Sequence, residues 1–176
     1  GNECPQVGTV QPQLCPPGRF ANASGLAECI LCPRGKYQEG VGTTACNYCS
    51  AVLEGSTTRD IASISSSQCI CSEGSFRPGG DQVKCMPCLE GMQCPEGSDI
   101  RNLPGSTDTS GVYPLVNTGY MTLAEEPLVL YLCKAEAHCP GGAPASCAAR
   151  RDATLVACGG CIADAYESVE ACKACG

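Results

Sequence analysis

The larger apolar side chains crowd into one stretch of the chain. Between Glu96 and Leu132, with no Cys between positions 94 and 133, Val112-Tyr113 and Leu115-Val116 precede Asn117-Thr118-Gly119, and Tyr120-Met121-Thr122-Leu123 follows. Two short β-rich runs about an Asn-Thr-Gly loop predict a hairpin. Leu128 to Leu132 predicts a third strand, so residues 97–132 are expected to form a β-rich insertion with a small core of its own. The apolar run from Leu128 to Cys133 is six residues long, far short of the roughly 20 that span a bilayer. A turn-rich stretch runs from Asn102 to Thr109. Near the end, Ala-rich Ile162 to Ala171 predicts a helical turn or two, too short to be stable alone.

Elsewhere the pattern is a repeat. Cys15, Cys32 and Cys49 are spaced by 17 residues, as are Cys29 and Cys46. Pro16/Pro33, Gly18/Gly35, Phe20/Tyr37 and Gly25/Gly42 fall in register, so the repeat reads C-P-x-G-x-[FY]-x4-G-x3-C-x2. A third copy starts at Cys71 and keeps Gly74, Phe76, Cys85 and Cys88, without the first Pro and with its second Gly one place early, at Gly80. Between copies two and three, Cys49 to Cys69 is rich in Ser and Thr and reads as a degenerate repeat with a longer loop. The first array therefore covers residues 1–96, with repeats near 15–31, 32–48, 49–70 and 71–87. A second array covers 133–176: Cys147, Cys161 and Cys175 are 14 apart, as are Cys158 and Cys172. Such stacked repeats predict a small disulfide-rich fold, elongated, with short β-hairpins.

Composition explains why cysteine recurs. The chain has 176 residues with 18 Cys, no Trp, 2 Phe and 6 Tyr. So few large apolar side chains bury too little area to offset chain entropy. A cysteine fraction above roughly 8–10% signals a disulfide scaffold, and such scaffolds persist where thiols stay oxidised. The expected location is the cell surface or outside the cell. A formal charge of −7 with no basic stripe excludes nucleic acid as a partner.

Two further chemistries fit C-x2-C pairs. Cys29, Cys32, Cys46 and Cys49, or Cys158, Cys161, Cys172 and Cys175, have the spacing of zinc knuckles. Against zinc, the period repeats per single knuckle, so that each straddles a repeat boundary, and Cys69/Cys71, Cys88/Cys94 and Cys133/Cys139 have no place in such a scheme. A redox-active C-x2-C needs a βαβ setting that lowers one thiol's pKa, which this sequence lacks. The leading reading has no metal and no cofactor. Translational symmetry then suggests that each repeat closes on itself, Cys15 with Cys29, Cys32 with Cys46 and Cys71 with Cys85; Cys49 with Cys69 and Cys88 with Cys94 follow by adjacency, and in the tail the same rule pairs Cys133 with Cys139, Cys147 with Cys158 and Cys161 with Cys172. Cys4 and Cys175 are left over. Either the natural chain continues past these ends, which is the favoured explanation, or Cys4 pairs locally and Cys175 elsewhere in the chain. The ring of each repeat is expected to lie against that repeat's own bridge.

On the C-P-x-G-x-[FY]…C-x2-C repeats, from about Cys15 to Cys94, the chain resembles the ephrin-receptor-like cysteine-rich repeat, related in style to tumour necrosis factor receptor modules and growth-factor-like repeats. The second array, with Tyr131-Leu132-Cys133 and Cys139-Pro140-Gly141-Gly142, is similar to large cysteine-rich surface proteins of algae and other protists, including flagellar-hair components. The resemblance implies an extracellular stalk, ectodomain or filament module, contacts with other proteins or with copies of itself, and no enzymatic activity. A membrane anchor, if present, would lie outside this stretch. The leading function is a structural or assembly module; the alternative is a receptor ectodomain, and a zinc-ribbon protein stands behind both.

The remaining features are few. Asn22-Ala23-Ser24 is an N-glycosylation sequon in a turn; Asn2-Glu3-Cys4 and Asn47-Tyr48-Cys49 are weak variants. His138, the one His, is expected in a surface loop, and Arg150-Arg151 as an exposed pair. Tyr113, Tyr120 and Tyr131 suit a contact patch or a packed β core.

Overall fold

The computed structural model describes residues 1–4, 11–105, 111–169 and 171–176. It divides into two compact units: Gly1–Ser72 with Gly80–Cys85, and Glu73–Gly79 with Met86–Gly176. Among the described residues all strands belong to two-stranded antiparallel ladders and the helices are single 3-10 turns.

In the first unit, β1 (Asn2–Glu3) pairs with β2 (Gln13–Leu14), β3 (Arg19–Phe20) with β4 (Ile30–Leu31), β5 (Lys36–Tyr37) with β6 (Asn47–Tyr48), and β7 (Ser56–Thr58) with β8 (Cys69–Cys71). In the second, β9 (Ser75–Phe76) pairs with β10 (Met86–Pro87), β11 (Met92–Gln93) with β12 (Leu115–Val116), β13 (Tyr120–Met121) with β14 (Tyr131–Leu132), and β15 (Ala165–Ser168) with β16 (Ala171–Ala174).

One turn generates most of these ladders. Arg19 N–H donates to Pro16 C=O at 3.2 Å, Lys36 to Pro33 at 3.1 Å, Ser56 to Leu53 at 3.1 Å, Met92 to Leu89 at 3.0 Å and Tyr120 to Asn117 at 3.1 Å. The third residue of each is glycine, at φ of 77°, 81°, 77°, 88° and 84°. That is the type II arrangement, whose third position needs a left-handed backbone. A second bond then closes each repeat onto the next. Cys32 N–H donates to Gly18 C=O, Cys49 to Gly35, Cys88 to Gly74 and Cys133 to Gly119, at 2.8–2.9 Å. Where the chain lacks the glycine, Arg150 holds the same turn at φ 61°, with Arg151 N–H donating to Ala148 C=O.

This turn corrects two expectations. The runs flanking Asn117-Thr118-Gly119 do not pair with each other: β12 pairs with β11 and β13 with β14. A type II turn splays its flanks instead of matching the twist of a hairpin, so each flank finds a partner elsewhere. Likewise Ile162 to Ala171 is not helical. Its C-terminal part enters β15 and β16, because the bridge from Cys161 to Cys172 ties the segment's start to the strand beyond it. The turn-rich stretch expected over 102–109 lies outside the described residues from position 106 on.

The Cys-free segment carries the same repeat without its bridge. Counting from the turn and the closing bond, Val116 and Leu130 stand where Cys15 and Cys29 stand, and Met121 stands where Phe20 stands. Val116 and Met121 are buried and Leu130 half-buried. Apolar side chains stand there in place of a covalent tie, each contributing about 2 kcal/mol when fully buried.

Packing runs from one repeat to the bridge of the next. Tyr37 clusters with Cys49 and Cys69, Leu53 with Cys71 and Cys85, and Met121 with Cys133, Cys139 and Cys158. The ring of the second repeat thus lies on the following bridge and not on its own, the Cys32–Cys46 tie. The first repeat buries Ala21 on Cys15–Cys29 and packs half-buried Leu26 against them, while Phe20 also stays half-buried.

The Ser/Thr-rich repeat uses its hydroxyls as structural acceptors and donors. Fully buried Thr58 accepts from Gly35 N–H at 3.1 Å and donates to Asp60 C=O at 2.8 Å. Glu39 accepts from Ser66 N–H at 2.8 Å, across 27 residues. Bonds from the Ser66 backbone and side chain hold the Glu39 carboxyl below its ordinary value of 4.5. A depressed carboxyl contributes stability above the unfolded-state pKa and loses it as pH falls through the folded value. The Ser66 amide should therefore lose protection from hydrogen exchange as pH drops below about 4.5, and Glu39→Gln should remove that pH dependence. An unchanged acid profile in the variant would count against the contact.

Candidate functional site

Eight bridges form the framework: Cys15–Cys29, Cys32–Cys46, Cys49–Cys69 and Cys71–Cys85 in the first unit, and Cys88–Cys94, Cys133–Cys139, Cys147–Cys158 and Cys161–Cys172 in the second. Their Cα atoms lie 5.4 to 6.3 Å apart, inside the range that a disulfide spans without backbone movement. No C-x2-C pair is joined within itself. Cys29 reaches back and Cys32 reaches forward, so the knuckle sulfurs are held as bridges and not as thiolates. Cys4, half-buried, and Cys175, exposed, are free. Cys175 N–H donates to Asp164 C=O at 2.9 Å, repeating the bond that opens each following repeat.

Two side chains expected at the surface are buried. His138 sits inside a 3-10 turn of Glu136–His138 and is 7% exposed; Arg151 is 5% exposed. Arg151 Nη1 donates to Cys158 C=O at 3.1 Å, and Nη2 lies 2.6 Å from His138 Nε2 and 3.2 Å from Glu167 Oε1. A guanidinium only donates, so His138 Nε2 accepts and the ring proton is on Nδ1. That buried N–H has no partner among the described residues. Arg150 alone matches the exposed reading. The bridges around Cys139 and Cys158 leave no open loop at this point, and the two side chains fold inward as a polar plug. A lone His beside a Cys and a dibasic pair carry no periodic signal, so the sequence offers nothing to mark this cluster.

Asn22 lies exposed in a bend, on a shallow cavity of about 420 Å³ lined also by Asn2, Cys4, Ala23, Ser24 and Gly25. Tyr113, Tyr120 and Tyr131 are half-buried. Tyr120 covers the face of Gly91, and Tyr131 packs on the Met121 cluster while its hydroxyl donates to Glu126 at 3.1 Å. That bond raises the Tyr131 hydroxyl above its ordinary pKa, since the proton is shared with a carboxylate. Lys36 stands over the Tyr48 ring at 4.1 Å on the β5–β6 ladder. Exposed apolar side chains in the first unit include Leu14, Val41, Ile61 and Ile64, with Leu14 against the Gly42 backbone.

Residues 18–69 match the family model described as tyrosine-protein kinase ephrin type A/B receptor-like. Over that stretch the chain is similar to ephrin-receptor-like repeats, and its bridges fit a cysteine-rich repeat array. The matched stretch starts at the turn glycine of the first repeat and ends at the cysteine that closes the Ser/Thr-rich one, so it contains the Cys32–Cys46 and Cys49–Cys69 bridges whole. No curated protein matches the chain. Ephrin-receptor-like repeats are a disulfide-rich, non-catalytic binding type of fold and imply contact with other proteins. With eight bridges, they go with a secreted or cell-surface setting. Among the described residues no helix is long and apolar enough to cross a membrane.

Proposed function

We propose that this chain is an extracellular structural or assembly module of a larger cell-surface or filament protein, and that it works by protein–protein contact. The observation that carries the reading is one bridge in each cysteine-bearing repeat, with cores among the described residues of only three or four buried side chains, half of them or more cysteine. Such a build tolerates a variable, exposed surface, because the covalent ties and not the surface residues maintain the backbone. The repeats on 133–176 continue the same principle with a shorter period, and exposed Leu14, Val41, Ile61 and Ile64 offer apolar contact area.

The test is sedimentation of the oxidised, secreted chain over a range of concentrations. Self-association supports the assembly module. A monomer at every concentration that captures a specific protein ligand supports a receptor ectodomain, the reading that the ephrin-receptor-like match favours. Recovery of a functional chain only with its thiols reduced and metal bound would overturn both.

A glycan at Asn22 belongs to the same reading. The chain secreted from a eukaryotic host should run heavier by one N-glycan, and Asn22→Gln should remove the increment while leaving the bridges intact. Identical masses before and after N-glycosidase treatment would show the sequon unused.

A further inference from the structure

Two bridges of the second unit touch. Cys139 Sγ lies 3.3 Å from Cys158 Sγ, although each is bonded elsewhere, to Cys133 and Cys147. The Sγ atoms of Cys133, Cys139 and Cys158 all lie within 4.8 Å of one another and the three residues are buried; Cys147 is half-buried. The Arg151 guanidinium, whose side chain is 1% exposed, bonds the Cys158 carbonyl, and the buried His138 Nδ1–H has no acceptor among the described residues. Ala157 and Cys158 both hold left-handed backbone, at φ of 58° and 49°, a conformation that costs each of them energy.

We propose that these four cysteines form a thiol-disulfide exchange relay, whose substrate is an external dithiol and whose second bridge state is Cys139–Cys158. The dithiol's first sulfur, as thiolate, attacks Cys147, the half-buried member of the four. The Cys147–Cys158 bond breaks, a mixed disulfide forms at Cys147, and Cys158 leaves as a thiolate. Cys158 then attacks Cys139 across the 3.3 Å contact. The Cys139–Cys158 bond forms, Cys133–Cys139 breaks, and Cys133 leaves and takes a proton. The dithiol's second sulfur attacks its own mixed-disulfide sulfur, which frees Cys147 to take the other proton. Two electrons pass: the dithiol becomes a cyclic disulfide, and two protein bridges become one bridge and two thiols. Attack through a thiolate, with rate set by access and by stabilisation of the leaving thiolate, is the ordinary course of such exchange. The relay needs nothing from the assembly reading and stands or falls apart from it.

The experiment uses the whole oxidised chain with Cys4 and Cys175 blocked by N-ethylmaleimide. A single equivalent of dithiothreitol is added, the mixture is quenched in acid and new thiols are labelled, and tandem mass spectrometry locates labels and bridges. The relay predicts equal labelling of Cys133 and Cys147 and a new Cys139–Cys158 linkage, ahead of opening at the other six bridges. Labels on Cys147 and Cys158 with Cys133–Cys139 intact, or first opening at any other bridge, would overturn it. A double variant, Cys133→Ser with Cys147→Ser, gives a second reading. Oxidised protein should carry the Cys139–Cys158 bond, and a folded variant in which both thiols take label would refute the proposal. Should that variant not fold, the dithiol experiment on the unaltered chain decides by itself.

Discussion

Complete reduction and alkylation of this chain should abolish its folded structure, leaving amide exchange at random-coil rates and digestion by trypsin within minutes under native conditions. No ladder among the described residues is longer than four residue pairs, and most have two. An isolated two-stranded hairpin is marginal in water. The cores consist largely of bridge sulfurs with one or two side chains laid on them, such as Tyr37 on Cys49–Cys69. A single bridge of this loop length is worth about 3 kcal/mol in the chain-entropy model, and the net stability of a domain is about 5–15 kcal/mol. Losing one bridge, as in Cys49→Ser with Cys69→Ser, should therefore lower stability by about 3 kcal/mol, whereas losing all should leave no cooperative transition. Retention of a cooperative melt after full alkylation would show that burial, not covalent closure, holds the backbone.

The second large effect is at a turn. Gly18 and Gly35 occupy equivalent positions in adjacent repeats, at φ of 77° and 81°. A Cβ on Gly18 would stand 2.3 Å from Ala62 C=O, a backbone atom that cannot swing away; a Cβ on Gly35 would meet only the Thr57 hydroxyl, at 3.8 Å. Both substitutions meet left-handed strain, roughly 1–2 kcal/mol. Only Gly18→Ala adds overpacking, about 1–3 kcal/mol more. Gly18→Ala should cost about 3 kcal/mol and Gly35→Ala about 1, read as midpoints of chemical unfolding. Equal losses would mean that the bend carrying Ala62 shifts freely. The difference arises because Ala62 N–H is already committed to Cys32 C=O at 2.7 Å, which pins its carbonyl near Gly18.

Much of the architecture is legible before any coordinates. A 17-residue cysteine period with a glycine three places after Cys15, Cys32 and Cys71 states a repeat, a left-handed turn and a local tie, because a tight turn and a short loop are local events that spacing alone can specify. The same logic reads the disulfide-rich class from a shortage of large apolar side chains. Other features are not local. The partner of Leu115–Val116 is Met92–Gln93, about twenty residues back, and the alternation of the two runs near Gly119 suited a hairpin equally well. The ring of Tyr37 lies on the next repeat's bridge because stacked hairpins offer that surface, a preference no spacing records. Val116 and Leu130 complete a repeat without cysteine, and only their hydrogen-bond register reveals it.

By itself the sequence determined the repeat, the turn and the kind of chemistry that holds them, since these depend on neighbours within about 20 residues along the chain. Tertiary structure alone decided which bridges touch, that His138 and Arg151 turn inward, and that Cys139 and Cys158 stand 3.3 Å apart. The physical reason is that these contacts join groups carrying no common period. Their energies come from desolvation and close approach in three dimensions, which are settled only when the folded backbone brings them together.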